Sequence, residues 1–397
     1  MKVIILNFPT HGCINALLAT VSELVNRGEH VIYYCTEEFR NKIEQTGAEF
    51  RPYQGSLNKV NVKEYDIFKL LKFQIEMTVD KLEHNLDEIC KEEPDYIIHD
   101  SLCIWGKYIA SILKLPAVNL MHSFPIVDSS ELVTFYNIPI LCKVELYRFM
   151  DFMSKNSLRK ELSEKFNIKL SLGDTFINRE GLNIVYTSRH MAPAVTQKAK
   201  DFYFVGPSRF FKDEQNDFPF YQLQGKKVIY ISLGTLHNDN PLFFKMCLSA
   251  FADKEYLVVM SVGYTINYQE FSNAPENFII RQSVPQQKLL DRVDVFITHA
   301  GMNSVNEAVC SGVPMLLFPH QFEQKLIGQS VSEMGMGKVL NIKKMTPTIL
   351  YENAKALILD PKYREKALMF KSIFVQEEKT SHIKAVDKIL AYVREPF

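Results

Sequence analysis

Thr298-His299-Ala300-Gly301-Met302-Asn303-Ser304-Val305-Asn306-Glu307 is the stretch from which the rest of this chain is read. An apolar run, Val293 to Ile297, precedes it, and a helical pattern that stops at Gly312 follows. The segment therefore reads as a strand, a tight turn and a helix starting at Ser304. The first amides of a helix lack partners inside it and its dipole is positive there, so an imidazole, a glycine turn, an amide and a hydroxyl at that point make an anion site. Gly301 allows close backbone approach. Ser304 and Glu307 also fit a capping box, in which both serve only helix amides. That alternative leaves His299, Gly301 and Asn303 unexplained.

The same rhythm extends outward. Val228 to Ser232, Tyr256 to Met260, Asn277 to Arg281 and Met315 to Phe318 read as further strands between helical patterns, and the last helical stretch runs from Thr346 to Tyr392. The first 120 residues alternate likewise: a strand at Val3 to Phe8, helical spacing from Ile14 to Gly28, a strand at His30 to Cys35, and later strands at Glu49 to Tyr53, Asp95 to His99 and Ala117 to Met121. Strands alternating with helices imply parallel, doubly wound sheets. A chain of 397 residues exceeds one ordinary core. The expected division is an N-terminal domain over 1–208, a linker over 209–225, a C-terminal domain over 226–380 and a terminal helix over 381–397. The default site is a cleft between two similar halves. Phe135, Tyr136, Leu141, Tyr147, Phe149 and Phe152 fall in a helical stretch that suits either a core helix pair or an apolar cleft wall, and His122 and Phe124 lie just ahead of it.

Composition narrows the function. Lys plus Arg, 46, equals Asp plus Glu, 46, so no global field recruits nucleic acid or an anionic membrane. Seven cysteines, widely spaced and without a CxxC pair, argue against a disulfide framework or structural zinc and suit a reducing cytosol. No run approaches the roughly 20 apolar residues of a membrane span. The expected location is cytoplasmic.

Three other segments share the strand-end position of the opening loop. Ser232-Leu233-Gly234-Thr235 follows the first strand of the second half, where ligands collect in open α/β sheets. Ser283-Val284-Pro285-Gln286 can present backbone groups to a flat base edge. Glu323-Gln324 pairs a carboxylate with a carboxamide able to hold sugar hydroxyls. Each also has a plain turn or helix-start reading. Gly335-Met336-Gly337-Lys338-Val339 is the nearest approach to a P-loop, but no Ser or Thr follows the lysine. GxGxxG, HExxH, GxSxG and Asp-x-Asp patterns are missing, which favours chemistry without a metal.

In this order the segments Ser232 to Thr235, Val284 to Gln286, Phe296 to Glu307, Gly312 to Met315 and Glu323-Gln324 resemble the nucleotide-sugar signature of UDP-glycosyltransferases, most closely the bacterial macrolide-glycosyltransferase type. The resemblance spans nearly the whole chain. It implies the GT-B fold: two Rossmann-like, doubly wound α/β domains facing across a cleft, with the donor on the second, the acceptor mostly on the first, and the last helix packed back on the first. It further implies that His299 contacts the pyrophosphate, with Gly301, Met302, Asn303 and Ser304 adding contacts. Ser232, Gly234 and Thr235 would face the phosphates, Glu307 the ribose, Val284 and Gln286 the uracil and ribose, and Glu323 with Gln324 the sugar. Ser283 stands where many relatives stack an aromatic ring on the base.

The resemblance also locates the acceptor's base just after the first strand, as a histidine oriented by an aspartate. Here the base position holds Cys13, in Pro9-Thr10-His11-Gly12-Cys13, while the aspartate matches Asp100. Cys13, His11 and Asp100 are thus the catalytic candidates, unless the acceptor is acidic enough to need little help. The expected function is inverting, metal-independent and cofactor-free transfer of a hexose, glucose foremost, from a UDP-sugar to a hydroxyl of an apolar small molecule such as a macrolide or flavonoid. Nucleic acid is not expected as a partner. The alternatives are a donor-binding protein whose Cys13 marks weak or lost catalysis, and a sugar-nucleotide epimerase.

Overall fold

The structure is a computed structural model and describes residues 1–55, 67–124, 157–170, 178–193, 196, 201–210, 217–235, 238–271 and 273–395. The aromatic helical stretch from Phe135 to Phe152 lies outside these residues. Two compact units form: Met1–Tyr186, Ala194–Phe210 and Thr380–Phe397 make the first, and Thr187–Pro193 with Phe211–Lys379 the second.

The first unit is built on β1 (Lys2–Leu6), β2 (His30–Cys35), β3 (Glu49–Pro52), β4 (Tyr96–Asp100), β5 (Ala117–Met121), β6 (Leu182–Val185) and β7 (Phe202–Phe204). They pair in the order β3-β2-β1-β4-β5-β6-β7, and every pairing is parallel. A parallel sheet is covered on both faces, so its strands read as unbroken apolar runs. Along β1, Val3 and Ile5 enter one core and Ile4 and Leu6 the other. Ala385, Val386, Ile389, Leu390 and Val393, near the end of the helix Pro361–Arg394, join the core that holds Val3 and Ile5.

The second unit has β8 (Val228–Ser232), β9 (Leu257–Ser261), β10 (Phe278–Arg281), β11 (Val295–Thr298), β12 (Met315–Leu317) and β13 (Gly337–Val339), ordered β10-β9-β8-β11-β12-β13 and again parallel. Tyr230 and Phe296 sit opposite in register, their rings stacked 4.7 Å apart.

Strand order reverses between β1 and β4 in one sheet and between β8 and β11 in the other. These switch points open crevices beyond the carboxyl ends of the strands. β6, β7 and β13, of three or four residues each, go unread in the sequence. The P-loop-like segment is a turn leading into β13, where a Cβ on Gly337 would overlap the Met315 carbonyl oxygen. Of the stretch read as a linker, Phe220–Leu223 forms a 3₁₀ turn that buries Leu223.

Candidate active site

At the second switch point, Thr298 pairs in register with Ser232, so the loops after β11 and β8 lie side by side. The His299 imidazole occupies the space between two glycines. A Cβ on Gly234 would come within 2.5 Å of His299 Cε1, and one on Gly301 would collide with Nε2. Gly234 has φ +75°, a left-handed value that an L side chain resists by roughly 1–2 kcal/mol. Ala300 takes φ +67° despite its Cβ, which turns the loop sharply into the helix.

That helix starts earlier than the sequence suggests. It spans Met302–Ser311, with Gly301 as N-cap and no side-chain cap. Ser304 and Glu307 therefore lie inside it, and the capping box is overturned. Glu307 is bound elsewhere: Gln286 donates to Oε2 at 2.6 Å and Gln287 to Oε1 at 3.1 Å. Tyr230 in turn donates to Gln286 Oε1 at 2.9 Å, and Gln286 lies 3.4 Å from Ser304 Oγ. Gln286, Ser304 and Glu307, distant in sequence, thus form one network. Tyr230 and Gln287 belong to it without having been read, since a strand tyrosine and the second of two glutamines carry no pattern of their own.

Of the remaining residues on this side, Ser232 is buried and accepts the Gly234 amide at 3.3 Å, whereas Thr235 and Ser283 are exposed. Met302 is buried, and Gly301, Asn303 and Val284 are partly so. Gln324 is buried, and its Oε1 accepts the amides of His320 and Gln321 at 2.8 and 3.2 Å, which caps the helix Phe322–Glu333. Its neighbour Glu323, partly buried, opens that helix.

The first switch point holds a different chemistry. Thr10 caps the helix His11–Asn26 and places Cys13 in its first turn. Asp100 ends β4 with no exposure, its Oδ2 accepting the Phe8 amide and its Oδ1 the Leu102 amide. Burial raises its pKa, opposed first by the neighbouring His122 and then by those two amides. His122, just past β5, sends Nε2 to within 3.6 Å of Cys13 Sγ, which also accepts the Thr10 hydroxyl at 3.0 Å. One ligand atom each from Cys13, Asp100 and His122 lie within 4.8 Å of one another, the one such group among the described residues.

His11 stands apart. It is exposed, with its ring edge-on to Phe39 at 4.9 Å, and desolvation on that packed side, followed by the Lys42 charge, lowers its pKa. The sequence placed His122 only near a pocket; its position one residue past a strand end was the signal to its neighbours.

Two α/β units, each a parallel sheet with polar loops at its switch point, fit the two-domain GT-B architecture. Residues 213–392 match the family described as UDP-glucoronosyl and UDP-glucosyl transferase. The chain is 32% identical over 375 residues to an uncharacterized UDP-glucosyltransferase, YojK, of Bacillus subtilis (strain 168), covering 92% of this chain and 91% of that protein. It is 24% identical over 376 residues to oleandomycin glycosyltransferase of Streptomyces antibioticus, covering 92% and 85%. The crystal structure of CalG4, the calicheamicin glycosyltransferase, matches with a TM-score of 0.78 at 25% identity, covering 100% of this chain and 99% of that one. The chain belongs to the UDP-glycosyltransferases and is an enzyme that transfers sugar from a UDP-sugar. Among the described residues no helix is long and apolar enough to cross a membrane.

Proposed function

We propose that this enzyme moves glucose from UDP-glucose to a hydroxyl of an apolar small molecule, with inversion at the anomeric carbon and without a metal ion. The observation that carries the reading is the His299 imidazole held between Gly234 and Gly301 at the uncapped N-terminus of a helix. Departure of UDP builds negative charge on the phosphates; the amides of a helix start and an imidazole stabilise such charge without a cation. Glu307, fixed by Gln286 and Gln287, is suited to accept bonds from ribose hydroxyls. Glu323 and Gln324 would meet the sugar, Gln324 through its amide nitrogen because its oxygen caps a helix. Oleandomycin, in the name of one relative, is a guide to the acceptor class. Incubation with UDP-glucose, other UDP-sugars and a panel of phenols and macrolides, in the presence of a chelator, should release UDP and yield a glycoside. Silence with every donor would refute the reading.

A second reading, a donor-binding protein with weak or lost catalysis, is favoured by Cys13 standing at the base position. Under it, Cys13→His raises transfer steeply at unchanged UDP affinity.

A further inference from the structure

We infer that His122 is the base that activates the acceptor hydroxyl, an imidazole supplied from the end of β5 to the position that Cys13 leaves without one. The inference rests on the transfer reaction proposed above and assigns its missing residue.

The other candidates are excluded by what surrounds them. Asp100 has no exposure and accepts two backbone amides, so it cannot meet an incoming hydroxyl. Cys13 is 1% exposed, with its sulfur held by the Thr10 hydroxyl. His11 is turned to Phe39. His122 alone among them is half-buried and also borders Asp100. Its Nδ1 is as enclosed as the Asp100 carboxylate but has no hydrogen-bond partner among the described residues, so an uncommitted ring nitrogen, rather than exposure, sets His122 apart from Asp100 and Cys13. A histidine at position 13 would need the space into which the His122 ring reaches; the smaller thiol, 3.6 Å from Nε2, leaves it.

The charges around the ring fit this role. Asp100 is the carboxylate beside it, and His99, which follows Ile98 in β4, is occupied behind Asp100 by Glu180 at 3.1 Å. Cys35, Cys103, Tyr33 and Tyr53, which feel the Asp100 charge, are raised in pKa by burial and stay neutral. An imidazolium at His122 therefore gains a facing negative charge, as a general base requires after taking its proton. In the step, the acceptor O–H bond breaks and an N–H bond forms on His122. The oxygen's electron pair makes the new bond to the anomeric carbon. The bond from that carbon to the diphosphate oxygen breaks, its pair leaving with UDP, and His122 then returns the proton to solvent.

The test uses the full chain with UDP-glucose and two probe acceptors, para-nitrophenol, whose hydroxyl is acidic, and benzyl alcohol, whose hydroxyl is not. His122→Gln should lower transfer to benzyl alcohol on the order of a hundredfold or more. Transfer to para-nitrophenol should fall much less, the acidic limb of the pH–rate profile should vanish, and UDP binding by calorimetry should be unchanged. Transfer should survive chelator. Equal losses on both acceptors, or no loss, would overturn the assignment, as would activity removed by chelator and restored by zinc. If the unmodified enzyme glycosylates neither probe, nor any acceptor of the wider panel, the transfer reading fails instead.

Discussion

The two units share a topology, and their switch points solve opposite problems. The second presents backbone: glycines, a helix start without a side-chain cap, and one imidazole fitted between Gly234 and Gly301. The first presents side chains: a thiol, a carboxylate and an imidazole gathered within 4.8 Å. An anion with several oxygens is held by dipoles that need no titration. A proton has to be taken up and given back, which requires a group whose charge can change. One crevice is accordingly rich in glycine and the other in buried ionisable groups.

The contrast breaks most sharply at His299. His299→Ala should lower turnover by roughly 10²–10³-fold, the scale of losing one donor to developing negative charge, and weaken UDP binding in calorimetry. An unchanged rate would show that the helix amides suffice.

Gly234→Ala asks whether the close fit matters. Its Cβ would displace the imidazole, and φ +75° adds strain. UDP affinity should drop about tenfold, near the 1.4 kcal/mol that a modest displacement of one contact represents, with a melting temperature lowered by only a few degrees.

The last effect belongs to Asp100 and is read as stability against pH. Its folded pKa is raised by burial, so ionisation costs the folded state free energy, fully present above the raised value and relieved below the ordinary carboxylate value. Asp100→Asn removes that dependence and leaves one of the Phe8 and Leu102 amides poorly partnered, at about 1–3 kcal/mol. The wild type should thus lead the variant most in acid, the gap in melting temperature narrowing as pH rises through that window. A constant gap would place the Asp100 titration elsewhere.

Much of the donor side was legible from the chain. Gly234, His299 and Gly301 are recognisable because backbone recognition of phosphate confines its residues to a few consecutive positions at a strand end. Reading failed locally where two uses compete for one residue type. Ser304 and Glu307 match a capping box as well as a ligand site, and only the helix start at Met302 decides. Gln324 reads as a sugar contact, and only the structure shows that its oxygen serves a helix cap, which leaves its amide nitrogen for such a contact.

What the sequence determined by itself was the alternation of strand and helix, the parallel sheets and the glycine turn between β11 and the next helix, since all three depend on periodicity and short spacing. The identity of the group facing Asp100 was decided only by tertiary structure. Cys13, Asp100 and His122 come from three strand ends, and no local period links residues 13, 100 and 122. They meet because β1, β4 and β5 are consecutive in the sheet, an order set by packing rather than by neighbours along the chain.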